Sequence, residues 1–147
     1  MPTNLYGPND NYDLNNSHVL PALIRKFHEA KINNNSEVFL WGTGEPLREF
    51  LQVDDLAEAV LFSIINNLNS DLYNVGSGEE ITIKELALLI QKITGHSGII
   101  NWDTSKPNGT PRKLIDSTKF RNLGWKSKIS LKQGIELTYK DYLNSLN

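Results

Sequence analysis

Val38-Phe39-Leu40-Trp41-Gly42-Thr43-Gly44-Glu45-Pro46-Leu47-Arg48-Glu49-Phe50-Leu51-Gln52-Val53-Asp54-Asp55 decides the fold. The apolar run Val38 to Trp41 reads as a short strand, and the glycines and proline of 42–46 read as a loop. Glu49 to Val53 alternates and reads as a second strand. Asp54 or Asp55 then caps a helix running to about Asn67, because a short carboxylate accepts from amides that the first helical turn leaves unpaired.

Working outward gives the same rhythm on both sides. Upstream, Ser17 caps a helix through about Lys31, with Pro21 tolerated near the first turn and Val19, Leu23, Phe27 and Ala30 as its buried stripe. Asn33-Asn34-Asn35 is an exposed loop. The opening stretch to Asn16, including Tyr6-Gly7-Pro8-Asn9-Asp10, reads as turns rather than as the start of a self-contained fold. Downstream, Asp71 to Val75 reads as a strand and Gly76-Ser77-Gly78 as a loop. Thr82 and Glu85 form a capping box, and the helix they open buries Leu86, Ile90 and Ile93 and stops at Gly95. Ile99 to Trp102 is a further strand, a polar loop runs through Lys113, and Ser117 caps a short helix that ends by Gly124. Ser130 with Gln133 opens the last helix, which buries Ile135, Tyr139, Tyr142, Leu143 and Leu146 and exposes Lys132, Glu136 and Lys140. The expected class is mixed α/β without an internal repeat.

Composition bounds the rest. At 147 residues, 39% hydrophobic and 22% charged, the chain has the size of one core-bearing domain spanning 1–147. A net charge of -2 with dispersed Lys and Arg gives no field for nucleic acid, so an anionic ligand must be held by a few local cations. The absence of cysteine excludes disulfides and thiol chemistry. No apolar run approaches ~20 residues, and Met1 to Pro8 lacks the blocks of a signal peptide, so no membrane partner and a cytoplasmic location are expected. Asp54, Asp55 and Glu58 have helix-cap spacing and no histidine ligand nearby, which leaves no metal site.

A dinucleotide site needs a strand, a Gly-rich turn and a helix N-terminus facing the pyrophosphate. The sequence has no G-x-G-x-x-G, and Gly42-Thr43-Gly44 and Gly76-Ser77-Gly78 read as ordinary turns. No tyrosine is followed four places on by lysine: Tyr6, Tyr12, Tyr73, Tyr139 and Tyr142 precede Asp10, Asn16, Ser77, Leu143 and Leu146.

Four segments carry a resemblance: Pro2 to Pro8, Asn16-Ser17-His18-Val19-Leu20-Pro21-Ala22-Leu23, Trp41 to Gly44 with Leu47 to Phe50, and Lys106-Pro107-Asn108-Gly109-Thr110-Pro111-Arg112-Lys113. In order and spacing they resemble the GDP-L-fucose synthase family of extended short-chain dehydrogenases/reductases. The first and third occur across nucleotide-sugar epimerases and dehydratases, and the second and fourth single out this branch. The resemblance implies a small C-terminal substrate domain lacking most of the Rossmann domain, with 1–16 as a remnant of the connection. It implies an NADP(H)-dependent conversion of GDP-4-keto-6-deoxymannose by 3,5-epimerisation and 4-reduction, a family homodimer, and an absent N-terminal Rossmann partner. NADP(H) is therefore expected in the full-length enzyme and not tightly on this chain alone, which is expected to be inactive by itself. The alternatives are a non-catalytic GDP-sugar-binding module, an assembly role, and the C-terminal part of another nucleotide-sugar epimerase or dehydratase.

By the same resemblance His18 matches the epimerisation acid. A helix start suits a proton donor, because the positive end of the dipole disfavours imidazolium, although a lone histidine there otherwise reads as a surface residue. His28 and His96 lack such a frame and read as surface residues. Pro2, Thr3, Asn4 and Leu5 match the stretch lining the nicotinamide half of the cofactor pocket, which His18 also touches; otherwise they are a plain turn. Arg48 offers a planar fork for a diphosphate and Lys26 a point charge. Trp41 matches a position contacting GDP, which core packing explains equally well. Asn108, Arg112 and Lys113 lie in the loop that touches the nucleotide. Asn108 replaces the more usual carboxylate, so any reading of the guanine edge there loses a charge-assisted pair.

Overall fold

The computed structural model describes residues 1–69 and 71–146. Among the described residues six short strands and five helices follow in the order β1 (Asn4–Tyr6), α1 (Val19–Ile32), β2 (Glu37–Trp41), β3 (Leu47–Gln52), α2 (Val53–Ile65), β4 (Glu80–Thr82), α3 (Ile83–Thr94), β5 (Ile99–Asp103), β6 (Arg112–Lys113), α4 (Thr118–Arg121) and α5 (Leu131–Ser145). The mixed α/β class expected from the alternation of elements is the one observed.

β3 organises the molecule. It pairs parallel with β1 (Asn4 opposite Phe50, Tyr6 opposite Gln52), antiparallel with β4, and parallel with β6 (Arg48 opposite Lys113). β2 and β5 form a separate parallel pair. The main core lies where α1, α3 and α5 meet these strands, around Leu20, Ile24, Phe27, Phe50, Leu86, Ile90, Ile135 and Tyr142. A second cluster joins Leu51, Ala59, Val75, Phe120 and Trp125.

The caps explain where the helices begin. Thr82 Oγ1 accepts from Glu85 N (3.1 Å) and Glu85 Oε2 accepts from Thr82 N (3.0 Å), the reciprocal pair read from the sequence. Gly95 closes α3 in the left-handed region (φ 75°), and Ser130 Oγ accepts from Gln133 N at 3.3 Å to open α5. Elsewhere the caps move. α1 starts one residue later than expected, with His18 rather than Ser17 at its N-cap. Pro21 is then the third helical residue, where its missing N–H leaves no bond unmade. α2 is capped by Gln52, whose side chain accepts from Asp54 N, so Asp54 and Asp55 occupy the first turn instead of the cap. Ser117 precedes α4 without a capping bond.

Other expectations are corrected by pairing and burial. The opening segment contains β1, because Asn4 to Tyr6 find partners on β3, and the Tyr6 ring packs edge-on against Phe50. Asp71 to Val75 is not a strand: Val75 forms one bridge to Pro2, while the Asp71 carboxylate folds back onto Leu72 N and pairs with Lys119. β4 and β6 exist only through β3 and were not read from the sequence. His28 and His96 are buried, not surface residues. His28 Nδ1 meets the Tyr139 hydroxyl at 3.0 Å, and His96 Nε2 meets the Asn35 carbonyl at 3.0 Å. On α5, Ile135 and Tyr142 are buried as expected but Leu143 and Leu146 are exposed. Val19, expected in the stripe of α1, faces solvent, and Leu20 and Ile24 take the buried positions.

α2 is unusual in having apolar residues on its outer side. Only Asp55 and Ala59 of this helix are buried, and Val60, Leu61, Ile64 and Ile65 are exposed. Among the described residues no helix is long and apolar enough to cross a membrane.

Candidate functional site

The end of β1, the turn after it, the N-terminus of α1 and the edge of β3 enclose a cleft of about 680 Å³. Thr3, Asn4 and Leu5 line it on one side, His18 to Leu20 on another, and Arg48 with Lys113 on a third. Strand pairing explains the last two: β6 lies parallel to β3 with Lys113 directly opposite Arg48, which brings two cations to one wall. Neither makes an ion pair with a described residue, so that wall can receive an anion. Arg48 directs Nη1 to the Leu47 carbonyl (2.7 Å), which fixes part of its fork.

A smaller recess of about 190 Å³ shares Val19 and Arg48 with this cleft and adds Trp41, Gly44, Pro46, Ile83, Pro107 and Asn108. Trp41 is 65% exposed. On β2 the buried positions are Val38 and Leu40, and alternation turns Trp41 outward, so core packing does not account for it. Lys26 and Lys106 stand over its ring at 6.0 and 5.7 Å. Lys26 reaches the Phe39 carbonyl (3.1 Å), and burial lowers its pKa. It borders the recess through Trp41 and lines neither cavity.

Asn108 Oδ1 accepts from Thr43 N (2.7 Å) and Thr43 Oγ1 (3.2 Å). Both lone pairs of that oxygen are thereby engaged, and only the amide donors remain for a ligand.

Two other expected residues fall outside the cleft. Arg112 points the opposite way from Lys113, as neighbours on a strand do, and forks onto Glu80 (Nε to Oε1 2.9 Å, Nη2 to Oε2 2.6 Å). Pro2 bridges to Val75. Within the cleft the Asn4 amide donates to the Glu49 carbonyl (2.7 Å), so its carbonyl oxygen is the group left for a ligand.

Sequence reasoning missed Asp10, which lines the cleft together with His18. Burial pushes its carboxyl up, opposed by the Asn11 amide and by the charge of His18. It also missed Glu49, whose carboxylate is wholly buried in the middle of β3. Neither had a signal in its local pattern: Asp10 lay in a run of turn residues, and Glu49 looked like the polar phase of an alternating strand. A third depression of about 490 Å³ is lined by Glu79, Glu80 and Glu85; its charge has the wrong sign for a phosphate-bearing ligand.

These features place the molecule in the α/β class, with its basic cleft at the ends of strands and the start of a helix. A sequence profile for the NAD dependent epimerase/dehydratase family matches residues 1–76, and the chain belongs to that family. It is 59% identical over 146 residues to probable GDP-L-fucose synthase 1 of Oryza sativa subsp. japonica, a match covering 99% of this chain and 44% of that protein. Against GDP-L-fucose synthase of Escherichia coli K12 it is 48% identical over 154 residues, covering 99% of this chain and 48% of the relative. The solved GDP-L-fucose synthetase of Naegleria fowleri bound to NADP superposes with a TM-score of 0.91 at 31% identity, over 99% of this chain and 46% of that one. The chain thus spans less than half the length of these relatives.

Proposed function

We propose that this chain is the nucleotide-sugar-binding portion of an NADP-dependent GDP-L-fucose synthase, acting on GDP-4-keto-6-deoxymannose. The observation that carries this reading is the convergence of His18, Arg48, Lys113 and Thr3 to Leu5 on one cleft, with Trp41 and Asn108 in the recess that adjoins it. In this reading Arg48 and Lys113 grip the diphosphate, the first as a planar fork and the second as a point charge. Trp41 provides a flat wall for the base, with Lys26 at its side and the Asn108 amide donors facing an acceptor edge. His18, at the mouth of α1, donates a proton to the sugar carbon during epimerisation, and Asp10 is the carboxylate beside it.

The cofactor fits this chain in part. Leu5, Tyr6, Phe50 and Val53 give the cleft apolar surface suited to a flat ring, and Thr3 and Asn4 give it a polar edge. No Gly-rich turn is available to cradle a pyrophosphate. NADPH bound to the complete enzyme supplies the hydride for reduction at C4; the residues here border its nicotinamide end and shield it from water. Arg112 has no ligand role in this reading.

The complement is an N-terminal Rossmann domain. The relatives are about twice as long as the matched region, and the exposed apolar residues of α2 offer such a domain a surface to cover. The chain alone is then inactive, and the complete protein is a cytoplasmic homodimer. The test is to assay NADPH oxidation with the keto-sugar for this polypeptide alone and after fusion to the N-terminal half of a relative. Turnover only in the fusion, lost on His18→Gln, supports the reading; turnover by the lone chain contradicts it.

A further inference from the structure

Resting on that reading of the cleft, we propose that Glu49 is the positioning residue of the diphosphate grip: its buried carboxylate sets Lys113 beside Arg48. Glu49 is 0% exposed. Its Oε1 accepts from Gly78 N at 2.7 Å and its Oε2 from Ile115 N at 3.5 Å, and no described side chain pairs with it. Burying a carboxylate on main-chain amides alone is costly, and the arrangement persists only where those amides are held in place.

What the carboxylate holds is the segment carrying Lys113. β6 is two residues long and makes too few ladder bonds to fix itself. It is anchored on one side by the Leu47 amide, which donates to the Pro111 carbonyl (2.9 Å), and on the other by a longer contact, 3.5 Å, from Ile115 N to Glu49 Oε2. Both anchors come from β3, one on either side of Arg48 in sequence, so the spacing of the two cations is set by a single strand. The Glu49 carbonyl also accepts from Asn4 Nδ2 (2.7 Å) and Thr3 Oγ1 (3.3 Å), tying the opposite wall to the same residue. The loop at 76–78 is shaped around the carboxylate: a Cβ at Gly76 would run into it.

A positioning role and a purely structural role differ in ligand selectivity. In Glu49→Gln the amide nitrogen confronts the Ile115 N–H, so Lys113 loses its register while the recess around Trp41 is untouched. An NMR titration of this chain with GDP and with guanosine reads folding and affinity in one sample. The expected result is roughly 4-fold weaker GDP binding with guanosine unchanged, reflecting a weakened contact from the point charge of Lys113 and staying below the cost of removing that side chain. Ile115→Pro, which removes the donor and keeps the carboxylate, is expected to give the same selective loss. Equal loss of both ligands, unchanged GDP affinity, or loss of the folded spectrum in both variants overturns the proposal. If the parent chain itself binds neither ligand, the reading of the cleft fails first, and this inference falls with it.

Discussion

Asn108 spends both lone pairs of its side-chain oxygen on Thr43, accepting from the backbone amide at 2.7 Å and the hydroxyl at 3.2 Å. The contact locks the loop before β6 onto the turn after β2, where Gly42 sits at φ 79° with the Asn108 oxygen over its missing Cβ. Replacing Asn108 by Asp keeps that acceptor and turns an acceptor, instead of two donors, toward the recess. Asn108→Asp should leave the melting temperature nearly unchanged and raise the preference for GDP over inosine diphosphate by roughly 10-fold, through a charge-assisted bond to the guanine amino group. Competitive titration of the two nucleotides measures this.

Arg48→Lys should weaken GDP binding by about 10-fold although charge is kept, because an ammonium cannot grip two phosphate oxygens in one plane. Lys113→Ala should cost less, since it removes a point charge from an exposed site. Calorimetric titration at fixed ionic strength compares the two; equal losses would show that only net charge matters.

Asp55→Ala should destabilise the fold by roughly 2–3 kcal/mol. The carboxylate is buried and accepts from Lys128 N and Ile129 N, both at 3.0 Å, and truncation leaves those amides without partners. Urea unfolding gives the value. Thr82→Ala, which removes one half of an exposed capping box, should cost only about 1 kcal/mol by the same assay.

His28 gives the fold a pH dependence. Burial, reinforced by the charge of Lys31 and opposed by Glu29, holds its pKa below the ordinary 6.5. The unfolded chain therefore binds this proton more readily than the folded one, so stability is present above pH 6.5 and falls as pH drops toward the folded-state value. The parent should lose more stability between pH 7.5 and about 5.5 than His28→Gln, in which an amide keeps a contact to Tyr139. Urea midpoints at the two pH values decide it; identical slopes would contradict it.

The helix signals that proved reliable were local. Thr82 with Glu85, Ser130 with Gln133, and Gly95 satisfy or terminate their own helices, so a few residues contain the whole interaction. β4 and β6 were illegible because two or three residues become a strand only when β3 arrives from elsewhere in the chain, and 71–75, which looked more like a strand than either, found one bridge. His28 and His96 look like surface residues until Tyr139 and Asn35 are brought to them across 111 and 61 residues. At the site, the motifs pointed to Thr3, Asn4, Leu5, His18, Arg48 and Lys113, which line the cleft, and equally to Pro2, Lys26 and Arg112, which do not. They did not separate Arg112 from Lys113, since opposite faces of β6 have meaning only once β6 is known to be a strand. Glu49 stayed hidden because burial of a charge is decided by amides contributed from two distant loops.

The central claim is that Arg48 and Lys113 form one wall for a diphosphate. It is tested most directly by calorimetric titration of this polypeptide with GDP, alongside Arg48→Ala. The account predicts saturable binding by the parent that weakens on raising salt and is lost in the variant. Heat that fails to saturate, or equal affinity in parent and variant, would contradict it.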